Sequence, residues 1–461
     1  MSITMEEEFD VIVVGGGPGG STVATLVAMQ GNRVLLLEKE EFPRYQIGES
    51  LLPSTVHGIC RLLGVSEELE KASFMPKRGG TFRWGSNPEP WSFSFGVSSK
   101  FPGPTSKAYQ VERMKFDQIL LDNARSKGVE VRERCSVVDV LERDGRVCGV
   151  RFDDADGVRR EAGARFVVDA SGNRSRIHSR VGGRRVYSEH FKNIALFGYF
   201  EGGKRLPAPN SGNILSVAFD SGWFWYIPLT DQLTSVGAVL RREALDRVQG
   251  DREQALASLI AECPLIAEHL ADAHRVESGP YGEIRVRKDY SYSHERFWRP
   301  GLVLVGDAAC FIDPVFSSGV HLATYSALLA ARSINTVLRG EVDETRCFEE
   351  YEARYRKEFG HFHDFVLSFY DMHRDEDSYF WSAREITAGS GPELEAFVEL
   401  VGGGAWDERA LLDSSVIQSV LEEGARLQVQ AAIGESIDDE PIRPGGLVPS
   451  PDGLGWAHPA G

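Results

Sequence analysis

Three stretches of this chain carry residues suited to holding a long dinucleotide. The first is Gly15-Gly16-Gly17-Pro18-Gly19-Gly20, where Gly15, Gly17 and Gly20 fill the pattern G-x-G-x-x-G. The first glycine permits a tight turn, the second lets backbone approach a pyrophosphate, and the third lets helix and strand pack closely. The helix that follows directs free N–H groups and a partial positive charge at the phosphates. Glu38 lies 18 residues beyond Gly20, where a carboxylate can accept hydrogen bonds from ribose hydroxyls. This pattern does not distinguish FAD from NAD. Two later stretches favour FAD: Val168-Asp169-Ala170-Ser171-Gly172 and Leu304-Val305-Gly306-Asp307-Ala308-Ala309 each run from an apolar strand into a small-residue turn. Gly306 and Asp307 lie more than 280 residues after the first loop, and one ligand spanning such distant segments must be long. The sequence holds no second G-x-G-x-x-G, which points to electrons delivered by another protein, although some flavoenzymes bind NADPH without such a loop.

The elements that must position these residues are legible as patterns. Phe9 to Val14 predicts a buried strand, a small-residue helix follows over about Ser21 to Met29, and Gly31 stops it. Val34 to Leu37 predicts a second strand, completing a βαβ unit. From Val129 to Ala170 strands alternate with turn signals at Arg143-Asp144-Gly145 and Asp154 to Gly157. Residues 187–288 favour strands, with one helical stretch near Arg252 to Ala261. A long helix is expected from about Ser318 to Leu338, stopped by Gly340, and residues 343–426 read as largely helical and aromatic-rich. Backbone N–H groups at Ser318 and Gly319 would point outward at that helix start, a geometry that suits either an anion or an ordinary serine cap. The expected class is α/β. An FAD-binding lobe spans 1–186, discontinuous with 289–342. A β-rich substrate lobe spans 187–288, a helical region 343–433, and a loose tail rich in Gly, Pro and Asp 434–461.

Several other functions are disfavoured. The formal net charge of −17 is wrong for general nucleic-acid binding, which needs clustered Lys and Arg. Six cysteines occur without a C-x-x-C pair or zinc spacing, as expected of reduced thiols in a cytoplasmic protein. No apolar run reaches the length of a membrane span, and Met1 to Asp10 lacks the basic start of a signal peptide. His361 and His363 beside Asp364 do not share a helix face, so no metal site is expected. The run Phe359, Phe362, Phe365, Phe369 and Tyr370 is expected to pack, with a possible part in a substrate entrance. Basic clusters at Arg174 to Arg185 and Arg285 to Lys288 read as solvated surface, with carrier docking as the alternative.

Phe42-Pro43-Arg44-Tyr45-Gln46-Ile47-Gly48-Glu49-Ser50, Trp223-Phe224-Trp225-Tyr226-Ile227-Pro228 and the Gly306-Asp307 segment together carry a family resemblance. With them the chain resembles the flavin-dependent halogenases, whose fold is the glutathione-reductase-type flavin monooxygenase fold. The W-x-W-x-I-P pattern is their specific marker and is intact. Tyr109-Gln110-Val111-Glu112-Arg113-Met114-Lys115-Phe116-Asp117 and Asp220-Ser221-Gly222-Trp223 are similar to the halogenases of glycopeptide antibiotic assembly, the vancomycin and teicoplanin type. The resemblance implies that reduced FAD and oxygen convert chloride to hypochlorous acid, which travels through the protein to a lysine. That lysine matches Lys77, in Pro76-Lys77-Arg78-Gly79-Gly80. An amine can form a chloramine or polarise hypochlorous acid by hydrogen bonding, and a desolvated pocket lowers its pKa.

Trp223 and Trp225, at strand spacing, point to one face, and the resemblance places the pair between flavin and substrate. It also places halide, or the flavin edge, at Pro314 to Gly319, including Ser318 and Gly319. Arg44 and Glu49 fall in its flavin-contacting segment, and Arg113 is a further candidate contact. Phe316 stands where tryptophan halogenases carry a glutamate, and cannot act as a base, which disfavours tryptophan as substrate. The resemblance therefore implies chlorination of a phenolic ring, tyrosine or β-hydroxytyrosine, tethered to a peptidyl carrier domain, with FADH₂ from a separate flavin reductase. The alternatives are a flavin-dependent phenol hydroxylase and a binding module that keeps the fold without turnover.

Overall fold

A computed structural model describes residues 8–371, 376–387, 392–404, 408, 411 and 441–459. Strand Glu8–Val14 is apolar and buried along most of its length, as suits a strand covered on both faces. It pairs in parallel with Val34–Leu37 on one side and Arg159–Asp169 on the other. The sheet runs Trp298–Arg299, Leu302–Leu304, Arg159–Asp169, Glu8–Val14, Val34–Leu37, Glu130–Arg132, with a hairpin from residues 136–153 continuing off Arg159–Asp169. Its register sets Val14 opposite both Leu37 and Asp169, and Asp169 opposite Leu304. The carboxyl ends of four strands therefore lie level, where ligands of open α/β sheets bind. The first helix, Pro18–Ala28, begins at Pro18 rather than near Ser21. Proline fits there because the first N–H of a helix has no helical partner.

A second, largely antiparallel sheet runs Cys310–Phe311, Arg285–His294, Arg185–Glu201, Leu233–Leu240, Gly222–Pro228, Ile214–Phe219, Gly79–Arg83, Trp91–Ser94. Its interleaving goes further than the sequence suggested. The boundaries expected at 186/187 and 288/289 fall inside strands, and residues 79–94 supply one edge. Local patterning marks a strand but not its sheet, because strand pairing is set by distant partners.

The long helix forms as expected, over Gly319–Arg339, ending at Gly340 in the left-handed region (φ +73°). Buried on nearly all sides in its first five turns, it packs against the first helix and against Glu344–Phe369. Asp343 caps the latter by accepting from the Arg346 N–H. Helices Glu376–Thr387 and Glu393–Gly402 follow, while residues 412–433 of the expected helical region and 434–440 of the expected tail lie outside the described residues. No helix among the described residues is long and apolar enough to cross a membrane.

The expected loose tail needs correction over residues 441–459. Val448–Pro449 pairs with Trp456–Ala457, and Leu447, Leu454 and Trp456 are buried. The Trp456 indole N–H donates to Ser333, and the guanidiniums of Arg332 and Arg354 each lie 5.2 Å from its ring. Gly and Pro there make turns; one tryptophan supplies the anchor that composition averages away. Trp456→Ala is expected to cost about 3–5 kcal/mol, measured by denaturant unfolding.

Candidate active site

The level strand ends bring the glycine loop, Glu38, Ser171 and Gly306 together. Gly15 adopts φ +101°, closed to most side chains, and a Cβ at Gly20 would lie 1.8 Å from the Gly15 carbonyl oxygen. The Glu38 carboxylate accepts from the Gly16 N–H at 2.6 Å and from the Glu40 N–H at 2.9 Å. A cavity of about 270 Å³ opens beside it, lined by Val14, Gly15, Glu38, Val137, Ser171 and Arg174 among others. It lies where a nucleoside would sit against the strand ends. Asp307, in the turn after Leu302–Leu304, has its carboxyl raised to about 6 by burial, offset by Arg113 and Arg185.

Arg44 reaches the loop: one of its terminal nitrogens lies 3.4 Å from where a Gly17 Cβ would stand. Asp117 holds it at 2.7 Å and also binds Arg113 through two bonds of 2.7 and 2.9 Å. Arg113 further donates to the carbonyls of Ile47 and Gly48. These bonds tie Arg113 to the segment leading to Glu49. Glu49 is buried; one carboxyl oxygen accepts from Tyr199 at 2.7 Å and the other has no partner among the described residues. Burial raises this carboxyl to about 7.

Lys77 ends the short strand Met75–Lys77, paired with Ala108–Gln110. Its side chain is 3% exposed, donates to the Leu51 carbonyl at 3.0 Å and lies 5.6 Å from the Phe95 ring. It has no salt bridge among the described residues, and burial lowers its amine from the usual 10.5 to about 7. A buried ammonium without a counter-ion is costly, so the amine gains weight at neutral pH. Trp223 and Trp225 share a face of Gly222–Pro228, with ring centroids 6.2 Å apart. Their indole N–H groups diverge in partner: Trp225 donates to Ser235, whereas Trp223 donates to the Tyr370 hydroxyl, which donates to Asp313. Phe316 is buried among Phe82, Phe365 and Phe369, with centroids 4.7 to 6.4 Å away. Ser317 is left-handed (φ +61°), and the Ser318 hydroxyl does not cap the helix starting at Gly319, so the bland capping role is not used.

The tryptophan halogenase family profile matches residues 10–104 and 99–427. A tryptophan 2-halogenase from Chondromyces crocatus is 37% identical over 380 residues, covering 82% of this chain and 70% of that protein. A flavin-dependent halogenase of Penicillium aethiopicum is 36% identical over 360 residues, covering 72% of this chain and 66% of its own. The solved myxobacterial chondrochloren halogenase, an FAD-dependent enzyme, superposes with TM-score 0.80 at 58% identity, over 98% of this chain and 100% of that one. The chain belongs to the flavin-dependent tryptophan halogenase family. It is an oxidoreductase that halogenates aromatic substrates with FAD and halide.

The halogenase's residues fit FAD: a nucleoside-sized cleft beside Glu38 and a glycine loop closed to side chains, with a buried Glu49 oxygen that has no partner among the described residues. The sequence reading passed over Asp117, Tyr199, Asp313 and the buried trio Ser54, His321 and Glu358. In that trio Ser54 contacts His321 at 3.0 Å and His321 contacts Glu358 at 2.7 Å. Asp117 does lie four residues from Arg113, but its bond to Arg44, like the partnerships of Tyr199 and of the buried trio, joins residues distant in sequence. Tyr370, expected merely to pack, instead bonds Trp223 and Asp313. Gly20→Ala, which would collide with the Gly15 carbonyl, is expected to weaken FAD binding at least about 10-fold, read by flavin fluorescence titration.

Proposed function

We propose that this halogenase chlorinates a phenolic ring, that of tyrosine or β-hydroxytyrosine held by thioester on a peptidyl carrier domain. Reduced FAD comes from a separate flavin reductase, and Lys77 delivers the electrophilic chlorine. One observation carries the assignment of Lys77: a buried amine with no acidic partner among the described residues, held on the Leu51 carbonyl. A structural lysine would be expected to reach water or an acid. A neutral amine can attack hypochlorous acid at chlorine, releasing water and leaving the halogen on nitrogen for the ring. Phe316 supports a phenolic substrate, because the phenol hydroxyl already activates its ortho carbon and needs less help from a base. Ser318 and Gly319 lie at the start of the buried helix, where an anion is favoured by the open N–H groups. Trp223 and Trp225 stand between Ser235 on one side and Tyr370 on the other, which supports a partition between cofactor and substrate.

Mass spectrometry of free and carrier-bound tyrosines, after incubation with FADH₂, oxygen and chloride, decides reaction and tethering together. Chlorinated carrier-bound product is expected, and hydroxylated product alone would sink the reading in favour of a phenol hydroxylase. Lys77→Met is expected to keep oxygen-dependent flavin oxidation and lose chlorination by about 100-fold or more. The same change should stabilise the fold by roughly 1–3 kcal/mol, since it removes a buried amine. The folded amine titrates near 7 and the unfolded one near 10.5, so the amine penalises folding increasingly as pH falls from 10.5 to 7. The gain is therefore largest at and below pH 7 and fades toward pH 10, testable by unfolding across pH.

A further inference from the structure

Glu49 is the inner end of a continuous hydrogen-bonded chain. Its carboxyl accepts from Tyr199 at 2.7 Å, and the Tyr199 hydroxyl meets that of Tyr45 at 2.7 Å. Tyr199 is fully buried, whereas Tyr45 is half-buried, so the chain leads from the site outward. At its outer end the Arg285 guanidinium lies 3.9 Å from the Tyr45 ring, with Arg287 also nearby. At its inner end Glu49 faces Ser235, whose hydroxyl oxygen accepts from Trp225, and lies in the field of Arg113 and Glu112. Tyr281 packs on both tyrosines and donates to Glu112, off the path. The second Glu49 oxygen is buried and has no partner among the described residues. Two residues along the chain is the carbonyl that holds Lys77.

The reaction consumes a proton. Reduced FAD, oxygen, chloride, an aromatic C–H and one proton give oxidised FAD, the aryl chloride and two waters. Oxygen is the oxidant; FADH₂ and the aromatic carbon are oxidised, the latter by way of transiently oxidised chloride. Glu49 and Tyr199 are buried, so a proton drawn through them needs a hydrogen-bonded path from the surface.

We propose that Glu49, Tyr199 and Tyr45 form a proton relay that carries the proton consumed by halogenation from the surface into the cofactor site. This rests on the halogenation reading above. Glu49 releases its proton from the unpartnered oxygen, Tyr199 passes its hydroxyl proton to the other carboxyl oxygen, and Tyr45 re-protonates Tyr199 from solvent. The steps are concerted, because burial pushes both phenols far from ionising and a free tyrosinate would be costly. Glu49, raised to about 7, is half protonated at neutral pH, where a relay donor works best. With Lys77 required as the amine and Glu49 as the acid, chlorination should peak near pH 7. It rises as Lys77 loses its proton and falls as Glu49 does.

Tyr199→Phe tests the relay. The Tyr199 hydrogen bond lowers the Glu49 pKa, so its loss should move the descending limb to higher pH while cutting the rate by about 100-fold. Tyr45→Phe should cut the rate and lower the solvent deuterium isotope effect without moving that limb. A second readout needs no turnover: calorimetry of FAD binding to apoprotein, in buffers of different ionisation enthalpy. Further desolvation of Glu49 by the ligand should draw a proton from solvent near pH 7 in the wild type. The uptake should be absent in Glu49→Gln and shifted to higher pH in Tyr199→Phe. Unchanged pH limb and isotope effect in both tyrosine variants, or proton uptake that survives Glu49→Gln, would overturn the relay. Failure of the wild type to chlorinate any phenol would instead overturn the halogenation reading and leave the calorimetric result to judge Glu49.

Discussion

The level carboxyl ends of four parallel strands are the constraint on which the cofactor site depends. Because Val14 stands opposite both Leu37 and Asp169, and Asp169 opposite Leu304, residues from four distant segments share one edge. A shift of one residue in any of these pairings would turn side chains to the other face and separate the glycine loop from Glu38 or Gly306. The register is held by strands that are apolar and covered on both sides, so the core and the site have the same origin. Gly15 and Gly20 add the local condition: the turn and the helix meet too closely for any side chain.

Around this edge, charge is placed sparingly. Arg44 and Arg113 share Asp117, which lets one acid orient the arginine beside the glycine loop and the segment ending at Glu49 together. Lys77 and Glu49 are buried with no ion-pair partner among the described residues, and burial moves both toward neutrality from opposite sides. Such groups weaken a fold, and the surrounding aromatic core offsets them. Phe316, Phe365, Phe369 and Trp84 pack with one another and with Trp223 at centroid separations of 4.7 to 6.0 Å. At the Lys77 amine the nearby ring is Phe95, at 5.6 Å, and burial there keeps its pKa low.

The second sheet joins the two chemistries. Strand Gly222–Pro228 carries Trp225, which bonds Ser235 beside Glu49, and Trp223, which bonds Tyr370 and through it Asp313. Asp313 begins the turn that leads through Phe316 to Ser318 and Gly319. One strand thus ties the cofactor segment to the turn at the start of the long helix.

The sequence by itself determined the glycine loop, Glu38, the Gly306-Asp307 turn, the long helix with its Gly340 stop and the α/β class. Each of these is written in local spacing: a turn needs its glycines, and a helix its period and its stop. It also marked Lys77, Trp223 and Trp225 by family resemblance, though not what surrounds them. Tertiary structure alone decided the burial of Lys77 without a counter-ion, the sharing of Asp117, and the Glu49–Tyr199–Tyr45 chain, whose members lie up to 154 residues apart. It also placed residues 79–94 in the second sheet and Trp456 in the core, against the expected boundaries and the expected loose tail. Pairing between distant segments is a property of the packed chain, because a hydrogen bond or a dry pocket exists only once both partners have been brought together.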